Sequence, residues 1–368
     1  FFLFGPRGSG KSTWIRQRFA GAHRFDLLDE ALYQELLVRP AGFADRLRRL
    51  KSRSWVCVDE VQRLPALLNE VHRAIEDQGL RFVLSGSSAR KLRRAGVNLL
   101  GGRALRRTMH PFVPDELEGR FSLESALRDG LLPVVLTSTQ PAETLRSYVR
   151  SYLKEEIQAE ALVKNLGGFA RFLPVAALMH GQVVNVSSIA RDAGVARTTV
   201  NDYLEILEDT LLAFRLPAFE TRLRVRERKH PKLYWVDSGL VRAAKDQLGP
   251  VAIEERGPLF EGLVAHCLRA WNETHELYDE LSYWSATESA SAEVDFLLRR
   301  GRSFVAIEAK SGVRFRAEDL RGLEAIAPLQ GLKRRLLIYA KGPALTTASG
   351  IEVMDFEAFN ALLAKRRL

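Results

Sequence analysis

Phe1-Phe2-Leu3-Phe4-Gly5-Pro6-Arg7-Gly8-Ser9-Gly10-Lys11-Ser12-Thr13-Trp14 is the stretch that decides how the rest of the chain is read. Four apolar residues suited to a buried parallel strand run into a glycine-rich turn, and the turn opens an amphipathic segment that reaches Phe19. The turn fits G-x-x-x-x-G-K-S/T with a strand before it and a helix after it, the context that gives this pattern its meaning. Its glycines let backbone N–H groups turn inward around phosphates, and the helix start adds the positive end of its dipole. Lys11 is expected to reach the β- and γ-phosphates as a catalytic cation, and Ser12 to hold Mg²⁺. Gly5, Pro6, Arg7, Gly8, Ser9, Gly10, Lys11, Ser12 and Thr13 are therefore the candidate nucleotide-binding residues.

Moving outward, Val56-Cys57-Val58-Asp59-Glu60 is an apolar strand ending in two acids. Asp59 is expected in the Mg²⁺ shell and Glu60 beside the attacking water. A third run, Phe82-Val83-Leu84, leads into Ser85-Gly86-Ser87-Ser88. The hydroxyls of Ser85 and Ser87 can contact the γ-phosphate or the water, or can cap the next helix as ordinary turn residues, and both readings stay open. ATP, with ADP as product, and Mg²⁺ are the expected ligands.

The chain has 368 residues, 46% of them hydrophobic and 9% aromatic, which excludes a disordered or collagen-like protein. That length predicts several domains. Residues 1–120 read as a P-loop α/β domain, 121–180 as a helical connector or lid, 181–256 as a helix-turn-helix of winged type, and 257–368 as a second α/β domain. Leu145, Tyr148, Val149, Tyr152 and Leu153 recur at helical spacing in the connector, with Gly167 and Gly168 as punctuation. Cys57 and Cys267 have no partner spacing, so neither a disulfide framework nor a zinc site is expected, and a reducing cytoplasm fits best. His110, His180, His230, His266 and His275 show no ligand spacing with one another. Apolar stretches such as residues 131–136 are far too short to span a bilayer, so no membrane partner is expected. Because Phe1 already lies in a strand-like run, a start methionine or leader is expected to have been trimmed, and targeting is unreadable.

Net charge is +10, and residues 1–120 carry 22 Lys and Arg against 13 Asp and Glu. A polyanion such as DNA or RNA is one reading of that excess, and a solvated arginine-rich surface is the other. In residues 186–207, Ile189, Val200, Leu204 and Leu207 supply core positions, Ser187 or Ser188 a cap and Gly194 a turn. Arg197, Thr198, Thr199 and Asn201 then open the second helix, where groove contacts are made. Arg222, Arg224, Arg226 and Arg228 alternate with apolar residues, which puts all four guanidinium groups on one strand face, as in a basic wing. A helix-turn-helix of this kind serves nucleic acid or a protein partner, and both stay open.

Near the C-terminus, residues 293–298 and 304–310 read as adjacent strands. Period two puts Glu308 and Lys310 on one face. Asp295 and Glu308 can share Mg²⁺ while Lys310 stabilises charge or activates water; the alternative is an exposed strand ion pair.

Taken together, the loop at residues 5–12, Phe25-Asp26-Leu27-Leu28-Asp29, Asp59-Glu60-Val61-Gln62, Ser85-Gly86-Ser87, Gly102-Arg103, Lys232-Leu233-Tyr234-Trp235-Val236-Asp237 and Phe260-Glu261 resemble AAA+ ATPases. The resemblance is to the branch with a C-terminal domain of unknown function numbered 4143. It implies that Ser85 or Ser87 holds the sensor position, and that Arg103 senses the γ-phosphate or acts on a neighbouring copy; an arginine following glycine before an apolar run is equally a structural ion-pair partner. It also implies self-assembly or a monomeric switch. The D…E-x-K pattern resembles PD-(D/E)XK nucleases, of restriction-endonuclease-like fold, with Val294 where proline often stands. That likeness adds Glu261 to Asp295, Glu308 and Lys310 as a catalytic set. The expected function is an ATPase acting on nucleic acid, with a nucleotide-gated switch bearing an inactive nuclease-like domain, or an ATP-gated endonuclease, as alternatives.

Overall fold

The computed structural model describes residues 1–88, 105–152, 165–219, 230–286 and 292–368. The chain divides into two compact units, Phe1–His110 with Asp209–Leu212, and Pro111–Glu208 with Ala213–Leu368.

The first unit is built on a parallel sheet of β1 (Phe2–Phe4), β2 (His23–Asp26), β3 (Trp55–Asp59), β4 (Arg81–Gly86) and β5 (Arg106–Thr108), in the order β2-β3-β4-β1-β5. Helices α1 (Lys11–Arg18), α2 (Glu30–Val38), α3 (Ala41–Arg48) and α4 (Leu67–Gln78) belong to the same unit. Alternation along each strand divides the apolar side chains between two faces. Phe2, Phe4, Val56, Val58 and Leu84 join Phe43, Leu47, Leu67 and Val71 in one core, whereas Leu3, Cys57 and Val83 pack with Ile15 of α1 in another. Covering both faces is what an all-parallel sheet requires. The Asp29 carboxylate caps α2 by accepting from Ala31 and Leu32 N–H groups, and Gly79, at φ 63°, ends α4. Because every pairing is parallel, the ends of β1, β3 and β4 lie on one edge of the sheet, where open α/β folds bind ligands.

The second unit opens with α5 (Leu123–Asp129), α6 (Pro133–Leu136), α7 (Pro141–Ser147), a π-helical turn (Tyr148–Tyr152) and α8 (Leu166–Leu178). The helical period expected through residue 153 thus passes into a wider turn at Tyr148, while Leu145 and Tyr148 are buried as expected. Gly167 and Gly168 stand in the first turn of α8 rather than between elements. A Cβ at Gly168 would stand 2.9 Å from the Asn165 amide nitrogen and 3.0 Å from the Tyr203 hydroxyl, so glycine there leaves room for the Asn165 cap.

Next come β6 (Gln182–Val183), α9 (Val186–Ala193), α10 (Arg197–Asp209), β7 (Ala213–Leu216) and β8 (Lys232–Trp235), with β8 antiparallel between β6 and β7. Ile189, Val200, Leu204 and Leu207 are all buried. Gly194, at φ 62°, makes the turn, and Arg171 Nε donates to the Ala193 carbonyl at 3.1 Å. The cap of α9 differs from expectation. Asn185 supplies it, accepting from the Ser187 and Ser188 N–H groups at 3.1 Å, so the serines are the capped residues.

After α11 (Ser238–Ala244), the 23-residue α12 (Ile253–His275) packs against β8 and the final sheet. That mixed sheet runs β13-β14-β12-β11-β10-β9, from β9 (Glu280–Ser285), β10 (Glu293–Arg300), β11 (Ser303–Lys310), β12 (Leu332–Tyr339), β13 (Leu345–Thr346) and β14 (Glu352–Asp355). Helices α13 (Arg321–Ala325) and α14 (Phe356–Ala364) complete the unit. Among the described residues, no helix is long and apolar enough to cross a membrane.

Candidate functional site

Between β1 and α1 the loop turns at Gly8 (φ 74°) and Gly10 (φ 89°), positive values that glycine adopts without a steric penalty. At Gly5 a Cβ would stand 2.5 Å from the Met109 carbonyl oxygen and 2.9 Å from Ser9 Oγ, so glycine is required for close approach. Lys11, only 5% exposed, donates to the carbonyls of Gly5 at 2.8 Å and Pro6 at 3.1 Å. Gly5, Pro6 and Ser9 are buried, Gly8, Gly10 and Ser12 half-buried, and Arg7 and Thr13 exposed. Ser9 Oγ is buried without a hydrogen-bond partner. An orphaned hydroxyl and a buried ammonium in one glycine-rich turn suit an anion.

Beyond the loop, β4 lies between β1 and β3 and brings its serines to the acids of β3. Ser85 Oγ donates to Asp59 Oδ1, which also accepts the Glu60 N–H at 3.2 Å. Glu60 has φ 55°, a conformation uncommon for a residue with a side chain. Gln62, 4% exposed, was not singled out as a site residue in the sequence; its Nε2 donates to Glu60 and to Ser87 Oγ at 3.2 Å. The two serines therefore have separate partners, Ser85 with Asp59 and Ser87, through Gln62, with Glu60. Ser12 and Asp59 offer hard oxygen donors, the chemistry Mg²⁺ takes. Arg103 lies outside the described residues.

In the second unit, Arg197, Thr198 and Asn201 are exposed and Thr199 half-buried in the first turns of α10. Arg222, Arg224, Arg226 and Arg228 lie outside the described residues.

The C-terminal set does come together. Asp295 on β10 and Glu308 on β11 are 4% and 6% exposed. Asp295 Oδ2 accepts the Ala309 N–H at 2.9 Å and Glu308 Oε2 the Asp295 N–H at 3.3 Å, while Lys310 donates to Glu308 Oε1. Lys232 on β8, 2% exposed, was not among the expected site residues. Its ammonium reaches Glu261 Oε1 at 3.0 Å, Asp295 Oδ1 at 3.4 Å and Glu293 at 2.5 Å. Two residues on, the Tyr234 hydroxyl donates to Glu261 from the same strand face. Burial raises the Glu261 carboxyl to about 7, with Asp295 adding to the shift, and burial likewise raises Glu308. Burial alone would lower Lys232, but Glu261, Tyr234, Asp295 and Glu293 outweigh it and hold the ammonium well above its ordinary range. Each oxygen of Asp295 and Glu308 already accepts a donor. Among the described residues no group of three or more His, Cys, Asp or Glu is disposed to hold a metal ion.

Residues 1–118 match the family described as AAA domain, residues 120–250 a domain of unknown function (DUF8612), and residues 256–359 a domain of unknown function (DUF4143). The N-terminal segment is thus similar to AAA domains. Over 301 residues the chain is 26% identical to the uncharacterized proteins Rv2008c of Mycobacterium tuberculosis and Mb2031c of Mycobacterium bovis. The match takes in 79% of this chain and 66% of the length of each relative. Among solved structures, the chain is similar to RuvB of Thermotoga maritima at 19% identity and TM-score 0.31, over 59% of this chain and 81% of that one. It is also similar to the ORC1 protein of Aeropyrum pernix in complex with DNA, at 15% identity and TM-score 0.29, over 67% and 85% of the two chains.

Proposed function

We propose that the chain binds and hydrolyses ATP at residues 5–12 and couples turnover to a nucleic acid. The observation that carries the first part is the convergence of Lys11, the Ser85–Asp59 pair and the Gln62–Glu60 pair at the ends of β1, β4 and β3. Gly8, Gly10 and Ser9 would cradle the phosphates, and Lys11 would exchange the Gly5 and Pro6 carbonyls for phosphate oxygens. Ser12 and Asp59 would hold Mg²⁺, which when bound neutralises charge on the phosphates. Glu60 orients the attacking water, Ser85 fixes Asp59, and Arg103 completes the site of a neighbouring copy in a homo-oligomer. For the second part the support is the cationic excess of residues 1–120 and the exposed Arg197, Thr198 and Asn201 at a helix start that follows a turn. The arginines at 222, 224, 226 and 228 would form the wing.

A second reading has one specific observation in its favour. Lys232 seated among Glu261, Glu293 and Asp295 supports a nucleotide-gated switch whose nuclease-like domain does not cut. ATP turnover by wild type and Glu60→Gln, with and without single- and double-stranded DNA at low salt, decides between them. DNA-stimulated turnover supports the coupled ATPase. Slow, unstimulated turnover with no cut DNA in Mg²⁺ or Mn²⁺ supports the switch. Unchanged nucleotide affinity and turnover in Lys11→Ala would sink both.

A further inference from the structure

We propose that Lys232 is the resident cation of the C-terminal carboxylate cluster, standing where a divalent ion would have to bind and holding the domain metal-free while β8 stays docked. The inference does not depend on ATP hydrolysis. It begins with alternation along β8. Lys232 and Tyr234 share one face, and both reach Glu261, the ammonium at 3.0 Å and the hydroxyl as a donor. The same ammonium meets Asp295 and Glu293, so one charge satisfies carboxylates from α12 and from two alternate positions at the start of β10. The ring of Tyr283 closes the remaining side, with its centroid 5.4 Å from Nζ.

A divalent ion bridging Asp295 and Glu308 needs free lone pairs on both facing one point. Here each of the four carboxylate oxygens already accepts one donor, from Lys232, Lys310 or the Ala309 and Asp295 N–H groups, so an ion would have to share oxygens turned toward other partners. An ion near Asp295 Oδ1 would meet the ammonium head-on in a site only a few per cent exposed, where the repulsion is poorly screened. Lys310 cannot take this part, because its side chain is 37% exposed and pairs with Glu308 from the open side. Withdrawing Lys232 would leave Glu261, Glu293 and Asp295 without their shared cation, and a divalent ion would then take its place.

Thermal melting of the nucleotide-free full chain with and without Mn²⁺, for wild type, Asp295→Asn and Lys232→Met, tests this. Wild type and Asp295→Asn should respond to Mn²⁺ alike, because any Mn²⁺ they take up lies elsewhere. Lys232→Met should melt lower than wild type and recover by roughly 5 °C in saturating Mn²⁺. A wild-type rise in Mn²⁺ that Asp295→Asn abolishes overturns the proposal, as does a folded Lys232→Met chain that ignores Mn²⁺. Should Lys232→Met fail to fold, Mn²⁺ binding measured by electron paramagnetic resonance on wild type and Asp295→Asn still decides it. Equal binding upholds the proposal, and an Asp295-dependent site ends it.

Discussion

Adding one methyl group at Gly86 should disable the ATPase without touching the phosphate loop. Gly86 ends β4 between Ser85 and Ser87, and a Cβ there would overlap Gln62 Oε1 and stand 3.1 Å from its Cδ. Ordinary contact begins near 3.5 Å, so the buried Gln62 carboxamide must retreat by about 1 Å. Overpacking of this kind costs about 1–3 kcal/mol. Losing the bond from Gln62 to Ser87 adds about 1 kcal/mol, and the unit should melt roughly 8–16 °C lower. The same displacement moves the group that holds Glu60, and a shift of about 1 Å at a positioning residue lowers kcat by about 100-fold, or about 2.7 kcal/mol. KM for ATP should stay within about twofold, because residues 5–12 are untouched. Steady-state ATP turnover and thermal melting of Gly86→Ala read both effects. The double variant Gly86→Ala/Gln62→Ala removes the overlap, so melting should recover while kcat stays low. A Gly86→Ala protein with wild-type kcat and melting temperature would refute the assignment of Gln62 as the residue that positions Glu60.

Acid should unfold the second unit partly through His180. Its Nδ1 accepts the Trp235 N–H at 3.1 Å, and burial, helped by nearby Lys245, lowers its pKa to about 3. The unfolded chain therefore protonates first; the contribution is whole above about pH 6.5, is lost progressively toward pH 3, and amounts to about 2 kcal/mol of loss by pH 5. Urea unfolding of His180→Gln between pH 7 and 5 should show a pH dependence smaller by that amount, and an unchanged one counts against a neutral, buried imidazole. Arg242→Met should cost about 3–5 kcal/mol by chemical denaturation. The Arg242 side chain is 1% exposed, pairs with Glu255 at 3.1 Å and donates to the carbonyls of Arg128, Gly249 and Pro250. Asn185→Ala should cost about 1 kcal/mol through the lost cap of α9, against almost nothing for Ser187→Ala.

The strand, loop and helix of residues 1–19 are legible in the sequence because the three are consecutive, so their chemistry does not depend on how the rest of the chain packs. Asp59, Glu60, Ser85 and Ser87 are legible one by one as strand ends. Their pairing is not, since the position of β4 between β1 and β3 follows from long-range packing. Gln62 carries no mark in its own neighbourhood, because its partners include Ser87, 25 residues away. Lys232 escapes notice for the same reason, standing 29 residues before Glu261 and 63 before Asp295. One local signal was there to use: a lysine opening a strand as apolar as Leu233-Tyr234-Trp235 must bury its charge, and a buried ammonium demands acids. The cap of α9 is not decided by residue type, since Asn185 is as good a cap as either neighbouring serine.

The seat of Lys232 also limits how the chain's pieces can be exchanged. The family matches break between residues 250 and 256, which invites treating what lies on each side as a separate module. The strand that supplies the ammonium lies before that break, and Glu261, Glu293 and Asp295 lie after it. A fragment beginning at residue 256 would keep the acids and lose their counter-charge, and one ending at residue 250 would carry a lysine built for burial with nothing to neutralise it. Recombination between relatives at this point is therefore viable only where both parents carry the lysine and the acids, so the two segments should be inherited as one piece.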